Sequence, residues 1–155
     1  MTSNIHQYTG KEGLQQIADH SLAAKGEILI YETQYASLEL FMTHPQAEDH
    51  RRALLAKSLR VRQLTNQVYQ HYSEVEGFHE QVMDIRRIAT EKIKIDREIL
   101  IYNDTIALYQ TKGENLYGVE IVDASLAEQQ RQLFELVWMQ ADRPANSRDP
   151  RTSIF

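Results

Sequence analysis

The stretch Arg97 to Thr111, REILIYNDTIALYQT, constrains this chain more than any other, because two alternating arms meet at a residue pair suited to a tight reversal. Successive side chains of a strand point to opposite faces, so Ile99 and Ile101 share one face while Glu98, Leu100 and Tyr102 share the other. On the return arm Ile106, Leu108 and Gln110 alternate with Ala107 and Tyr109. Between the arms, Asn103 and Asp104 tolerate positive φ better than most residues with a Cβ, which fits a two-residue primed turn. The stretch therefore predicts a β-hairpin.

Around this hairpin the pattern alternates between helix and strand. Residues 10–26 read as a helix, with Leu14, Ile17, Ala18, Ser21 and Leu22 on one face and Gly26 as a left-handed cap. EILIYE, Glu27 to Glu32, is a short apolar run with the look of a buried strand. Tyr35 to Met42 is too short for more than a helical turn or a covering loop before Thr43-His44-Pro45. Gln46 to Lys57 predicts a helix with Ala47, Leu54 and Leu55 inward and Asp49, Arg51 and Arg52 outward. Leu59 to Thr65 alternates as a strand, Leu59, Val61 and Gln63 against Arg60, Arg62 and Leu64. A short helix from about Ser73 carries Val75, Phe78 and Val82 on one side, and Met83 to Ala89 reads as a third strand. Past the hairpin, Leu116 to Val122 is a strand, and a helix follows that Ser125 and Glu128 would open as a capping box. Its inward face is Leu126, Gln130, Leu133, Phe134, Val137 and Trp138. Early βα alternation followed by a meander implies an α/β domain, a mixed β-sheet with flanking helices, over residues 8–141. Residues 142–155, with two prolines and little periodicity, read as a mobile tail.

Length and composition narrow the function classes. A chain of 155 residues supports one domain, burying roughly two thirds of its unfolded surface. No segment is apolar for long enough to cross a bilayer, and MTSNIHQYTGKEG lacks the apolar centre of a secretory signal, so a cytoplasmic protein with no membrane partner is expected. The absence of cysteine removes disulfides, thiolate metal sites and cysteine nucleophiles. A formal charge of -5 argues against a broad phosphate-binding surface. The six histidines form no HxxxH or HxH pair, so no metal site is expected. There is no nucleophile elbow and no Walker loop, and no cofactor is implied.

The hairpin and its flanks resemble the second half of a phospholipase D-like fold, whose active stretch has the form HxKxxxxD followed by a strand ending in GSxN. On that pattern Asp96 falls at the histidine, Glu98 at the lysine and Asn103 at the aspartate. Gln110 and Thr111 fall at the Gly-Ser pair and Gly113 at the asparagine. The resemblance implies a fold without its chemistry. No aligned histidine remains to form a covalent intermediate, and two carboxylates would repel the phosphodiester that a cationic pocket holds. A closer resemblance is to the effector domain of TrmB-type transcriptional regulators, a non-catalytic phospholipase D-like domain that in some members binds sugars. It rests on residues 8–13, on Glu27 to Tyr31, on Arg51-Arg52 leading into Leu59 to Leu64, on Ile85 to Ile88, and on Gln132 to Trp138. Those regulators carry a winged helix-turn-helix ahead of the effector domain. Here only about ten residues precede the first expected helix, so direct nucleic-acid binding is not expected.

This resemblance implies a sensor of a small polar ligand such as a sugar, acting as a homodimer or through a separate DNA-binding protein partner. The candidate site comprises Asp96 and Glu98 at the old catalytic face, Glu32 at a strand end, Arg60, Arg62 and Arg86 on neighbouring strands, and Tyr102. Guanidinium forks suit anions and paired hydroxyls, and carboxylates accept from sugar hydroxyls. The same arginines also suit the solvent-facing positions of two strands, and Asp96 and Glu98 an ordinary charged strand entrance. Tyr31, Tyr102, Tyr109 and Trp138 are aromatics that either stack on a ligand or pack the domain. A purely structural, dimerising domain with a degenerate phospholipase D-like fold is the alternative.

Overall fold

The computed structural model describes residues 4–143. Seven strands form one sheet: β1 (Ile5–Thr9), β2 (Glu27–Glu32), β3 (Arg60–Thr65), β4 (Met83–Arg87), β5 (Glu98–Tyr102), β6 (Thr105–Gln110) and β7 (Tyr117–Val122). Their order in space is β1-β7-β6-β5-β2-β3-β4. β2, β3 and β4 are parallel, and every other pairing is antiparallel. The helices are α1 (Gly10–Ser21), α2 (His44–Ala56), the one-turn α3 (Phe78–Gln81) and α4 (Ala124–Gln140), with a 3₁₀ turn at Ser37–Leu40.

The hairpin is as the alternation predicts. Tyr102 pairs with Thr105, leaving Asn103 and Asp104 as a two-residue turn, and Asn103 takes φ 49°. The Asn103 side chain accepts from Lys25 N–H at 2.9 Å and donates to the Ala23 carbonyl at 3.0 Å, which ties the turn to the end of the first helical layer. The two faces of the sheet carry separate cores. Leu14, Ile28, Phe41, Val61, Leu100 and Tyr109 belong to the face covered by α1 and α2. Leu29, Leu64, Ile101, Phe134 and Trp138 belong to the face covered by α4. Phe134 and Trp138 stack with ring centroids 5.7 Å apart, a contact contributing about 0.5–1.5 kcal/mol beyond area burial.

Several elements depart from expectation for local reasons. β1 has no apolar alternation because it is a mostly exposed edge strand, held by backbone pairing of Ile5 through Thr9 with β7. Helix α1 ends at Ser21, and Gly26 uses its positive φ of 88° in the turn into β2 instead of capping the helix. Helix α2 begins earlier than expected. Thr43 and Gln46 form a reciprocal capping box, Thr43 Oγ1 accepting from Gln46 N–H and Gln46 Oε1 from Thr43 N–H. At α4 the cap is Asp123, whose carboxylate accepts from Leu126 N–H at 3.0 Å, with Ser125 donating to the same oxygen. Leu133, expected inward, is 45% exposed. Asp142 pairs through its backbone with Arg87, so β4 gains a short antiparallel bridge. Of the segment expected to be a mobile tail, residues 144–155 lie outside the described residues.

Candidate functional site

Three polar residues occupy apolar register positions on the α1/α2 face of the sheet. Glu32 continues the line of Ile28 and Ile30 on β2, Gln63 follows Val61 on β3, and Glu98 precedes Leu100 on β5. Tyr31 pairs with Ile99, so the next residues outward, Glu32 and Glu98, fall side by side on that face. Both are buried, at 7% and 2% exposure. They line a cavity of about 70 Å³ that runs along this face of the sheet from Ile28, Val61 and Met83 to Glu32, whose carboxyl-terminal place on β2 is at the edge where open α/β sheets hold ligands. The 3₁₀ turn, the Tyr35 and Tyr72 segments and α2 form its wall opposite the sheet.

The distinguishing feature of this cavity is its unsatisfied polar lining. Neither Glu98 oxygen, nor Glu32 Oε1, Gln63 Nε2 or the Tyr35 hydroxyl has a hydrogen-bond partner from the protein. Leaving a buried polar atom unpaired costs about 1–3 kcal/mol, more for a charged one, so four such residues around one space is not a stable way to fill a core. Burial pushes the Glu32 carboxyl up to about 8, against partial relief from the Ser37 hydroxyl, the backbone at Gln34 and Thr33, and Arg51. Burial likewise pushes the Tyr35 phenol up to about 12, and it raises Tyr72 and Tyr109 further.

Arg51, expected on the solvent face of its helix, is 2% exposed and reaches the cavity wall. Its guanidinium is already engaged. Nη1 donates to Glu39 at 2.7 Å and Glu48 at 2.6 Å, Nη2 donates to Glu39 at 2.9 Å, and the group lies 5.1 Å from the Tyr72 ring centroid. Glu48 also accepts from Ser73 Oγ and Glu74 N–H. Glu39, Glu48 and His44 bring ligand atoms within 4.8 Å of one another, but Arg51 bonds both carboxylates, so a guanidinium occupies the position a metal would need. His50, also on the cavity wall, is held neutral by burial, its value lowered to about 4.

Of the sequence-derived set, Glu32 and Glu98 meet, and the rest lie elsewhere. Asp96 is half exposed and faces Lys112 at 3.4 Å and Lys94 at 4.0 Å. Arg60 is exposed and donates to the Gln81 carbonyl at 2.8 Å. Arg62 lies on the α4 face, bonded to Glu27 and Glu135 and facing the Phe134 and Trp138 rings. Arg86 lies against the same helix, donating to the Trp138 carbonyl at 2.9 Å with its guanidinium 4.5 Å from the Trp138 ring centroid. The physical reason is the sheet itself, which no side chain crosses. Even strand positions that carry Arg62 cannot share a pocket with odd positions that carry Gln63. Tyr102 is on the cavity's side of the sheet, 4% exposed, but sits at the far end of β5 toward Tyr8 and Glu120. Sequence reasoning missed Gln63, Arg51, Tyr35 and Tyr72. A signal existed for Gln63, a polar residue in an apolar register, and for Arg51, spaced i, i+3 from Glu48. Tyr109, read as an aromatic that either stacks or packs, lines the cavity and contacts Phe41 at 5.3 Å between ring centroids.

No protein-family model matches the chain, and no curated protein sequence does. Solved structures do. The archaeal chromatin protein TrmBL2, described as showing a novel mode of DNA binding, superposes with a TM-score of 0.61 at 14% identity, over 91% of this chain and 54% of its own. NucT from Helicobacter pylori superposes at 0.60 with 10% identity, covering 90% of this chain and 98% of its own. The phospholipase D family member Nuc from Salmonella typhimurium gives 0.60 at 13% identity, covering 90% and 96%. This chain thus spans about half the length of TrmBL2 and nearly all of NucT and Nuc. Identities this low carry the fold and nothing finer, and with the seven-stranded mixed sheet they identify the chain as an α/β protein with a phospholipase D-like fold.

Proposed function

We propose that this protein is a non-catalytic, small-ligand-sensing domain related to the effector domains of TrmB-type regulators, acting through self-association or a partner. The observation that carries the reading is the cavity on the α1/α2 face of the sheet, with unpartnered polar atoms of Glu32, Tyr35, Gln63 and Glu98 on its wall. A polar ligand that satisfies these atoms recovers the hydrogen bonds that folding leaves unmade. The positions aligned with the phospholipase D motif support the absence of catalysis. Asp96 stands on the surface beside lysines, and Glu98, a buried carboxyl, stands where a phosphate-binding lysine is needed.

Thermal unfolding in the presence of sugars, polyols and amines tests the reading. A ligand at a hundred times its dissociation constant stabilises the native state by about 2.7 kcal/mol, and failure of every compound to raise the transition would defeat it. Turnover of a chromogenic phosphodiester that disappears in both Asp96→Ala and Glu98→Ala would overturn the non-catalytic half.

A second reading, a structural dimerisation domain, is favoured by one observation. Leu133, Leu136 and Met139 run along the outer side of α4 at 45%, 61% and 73% exposure. Light scattering on the wild type and on Leu136→Glu/Met139→Glu tests this second reading. A dimer that the double variant breaks supports self-association, and a wild-type monomer removes its basis.

A further inference from the structure

We infer that the ligand of this cavity is an organic ammonium ion, held by the carboxylates of Glu98 and Glu32 against a wall of tyrosine rings. The inference rests on the ligand-sensing reading above and names the chemistry of the ligand.

The argument is one of complementarity. Glu98 is 2% exposed, and both of its oxygens lack a protein donor. The cation nearest to hand, Arg51, is committed to Glu39 and Glu48 and leaves neither of its terminal nitrogens without a carboxylate. His50, the other basic group on the wall, is held neutral by burial. No lysine lines the cavity. The wall therefore presents acid oxygens that no protein donor bonds. A carboxylate or phosphate brings acceptors to a wall whose open acid oxygens call for donors, and it finds only Gln63 Nε2 and the Tyr35 hydroxyl to bond.

A sugar satisfies carboxylates through hydroxyl donors, yet each hydroxyl also brings lone pairs that need donors of their own. Gln63 Nε2 and the Tyr35 hydroxyl are the unpartnered protein donors on this wall. An ammonium group brings donors alone, plus a charge that a carboxylate stabilises directly. Tyrosine rings add a second element, an aromatic wall for the carbon skeleton of an organic cation. Tyr35 stacks on Tyr72 at 5.6 Å between centroids, and both line the cavity together with Tyr109. Gln63 and Tyr35 then suit a hydroxyl or a second polar group on the same molecule.

A proton linkage follows from the groups that face Glu32. These are Glu98, Arg51, Tyr35, Tyr72, Tyr109 and the neutral His50. With its carboxyl at about 8, Glu32 holds a proton at neutral pH, and a bound cation displaces it. Amine binding therefore strengthens as pH rises, by about tenfold or more between about pH 6 and about pH 8.5.

The experiment compares amines with neutral molecules of the same shape. The probes are 3-aminopropan-1-ol against propane-1,3-diol and 1,4-diaminobutane against butane-1,4-diol, followed by thermal shift and by calorimetry in two buffers of different ionisation enthalpy. The amines raise the transition temperature and the diols do not, binding releases a proton, and Glu98→Gln, checked for folding by circular dichroism, loses the amine response. Glu32→Gln keeps amine binding in weakened form and releases fewer protons than the wild type. Equal stabilisation by amines and diols overturns the cation assignment while leaving a polar-ligand site in place. An amine response that survives in Glu98→Gln also overturns it, because the cation then sits elsewhere. No response to either set, with sugars likewise silent, removes both this inference and the reading it rests on.

Discussion

Replacing Glu32 by glutamine isolates the energetic consequence of burying an acid beside a cavity. An ordinary glutamate titrates at 4.5, whereas burial holds Glu32 at about 8. The folded protein thus grips this proton more tightly than the unfolded chain does. Its contribution to stability is complete below the unfolded value and is lost as pH rises through about 8. Across the full span the loss is about 5 kcal/mol, and about 3 kcal/mol of it falls between about pH 5 and about pH 8. Glutamine keeps an acceptor for the Thr33, Gln34 and Ser37 donors that face Glu32 but has no proton to release. Urea unfolding of both proteins through this range is the assay, read as the difference between them so that groups common to both cancel. Wild type gains on the variant as pH falls and drops behind it as pH rises. A difference that stays flat across the range refutes the reasoning, since a carboxyl with the same proton affinity folded and unfolded is not buried in the way described.

Other perturbations probe separate parts of the molecule. Arg51→Ala strands Glu48 in the interior with its hydrogen bonds from Ser73 and Glu74 but no counter-charge, and chemical denaturation should register a loss of about 3–5 kcal/mol. Asn103→Gly relieves the positive φ but removes the side-chain bonds to Lys25 and Ala23, so a net loss of about 1 kcal/mol is expected in a thermal melt, the bonds outweighing the strain. A Cβ at Gly118 would sit 2.3 Å from Ile17 Cδ1 and 3.1 Å from the Leu108 carbonyl oxygen. Gly118→Ala should therefore cost about 1–3 kcal/mol by forcing α1 off β7. On the acid side, burial lowers both His50 and His79 to about 4 from 6.5. Stability they contribute is present above 6.5 and lost as pH falls through about 4, and His50→Gln/His79→Gln should show a shallower acid limb in the same unfolding assay.

Much of the architecture was legible because it depends on local periodicity. Alternation assigned every residue of the hairpin to its face, and the apolar run Glu27 to Glu32 became a strand with those bounds. Edges and caps were less legible. β1 has no apolar stripe, since its strand character comes from its partner β7. Asp123 caps α4 from a position where a polar residue after a strand reads as loop. The candidate site was half legible. Glu98 and Glu32 stand out as acids in apolar register, but the sequence groups Arg60, Arg62 and Arg86 with them because these lie on the neighbouring strands β3 and β4. What separates Arg62 and Arg86 from the cavity is the parity of strand positions relative to one face, a property of the assembled sheet. Arg51 reads as a surface charge because its own helix shows only Glu48 as a partner, while Glu39, which takes both of its terminal nitrogens, lies in another element.

The pairing of β1 with β7 joins residues that are very far apart along the chain. Ile5 sits beside Ile121, and His20 of α1 bonds Glu120 across a separation of 100 residues. Closing a loop of that length must precede any reward from the contacts it makes, which places docking of this edge late in folding. During synthesis from the amino terminus, the first strand leaves the ribosome long before its neighbour exists. It then waits as an unpaired edge until Tyr117 to Val122 emerge, while β2 and β3, with the half of the cavity they carry, can already assemble.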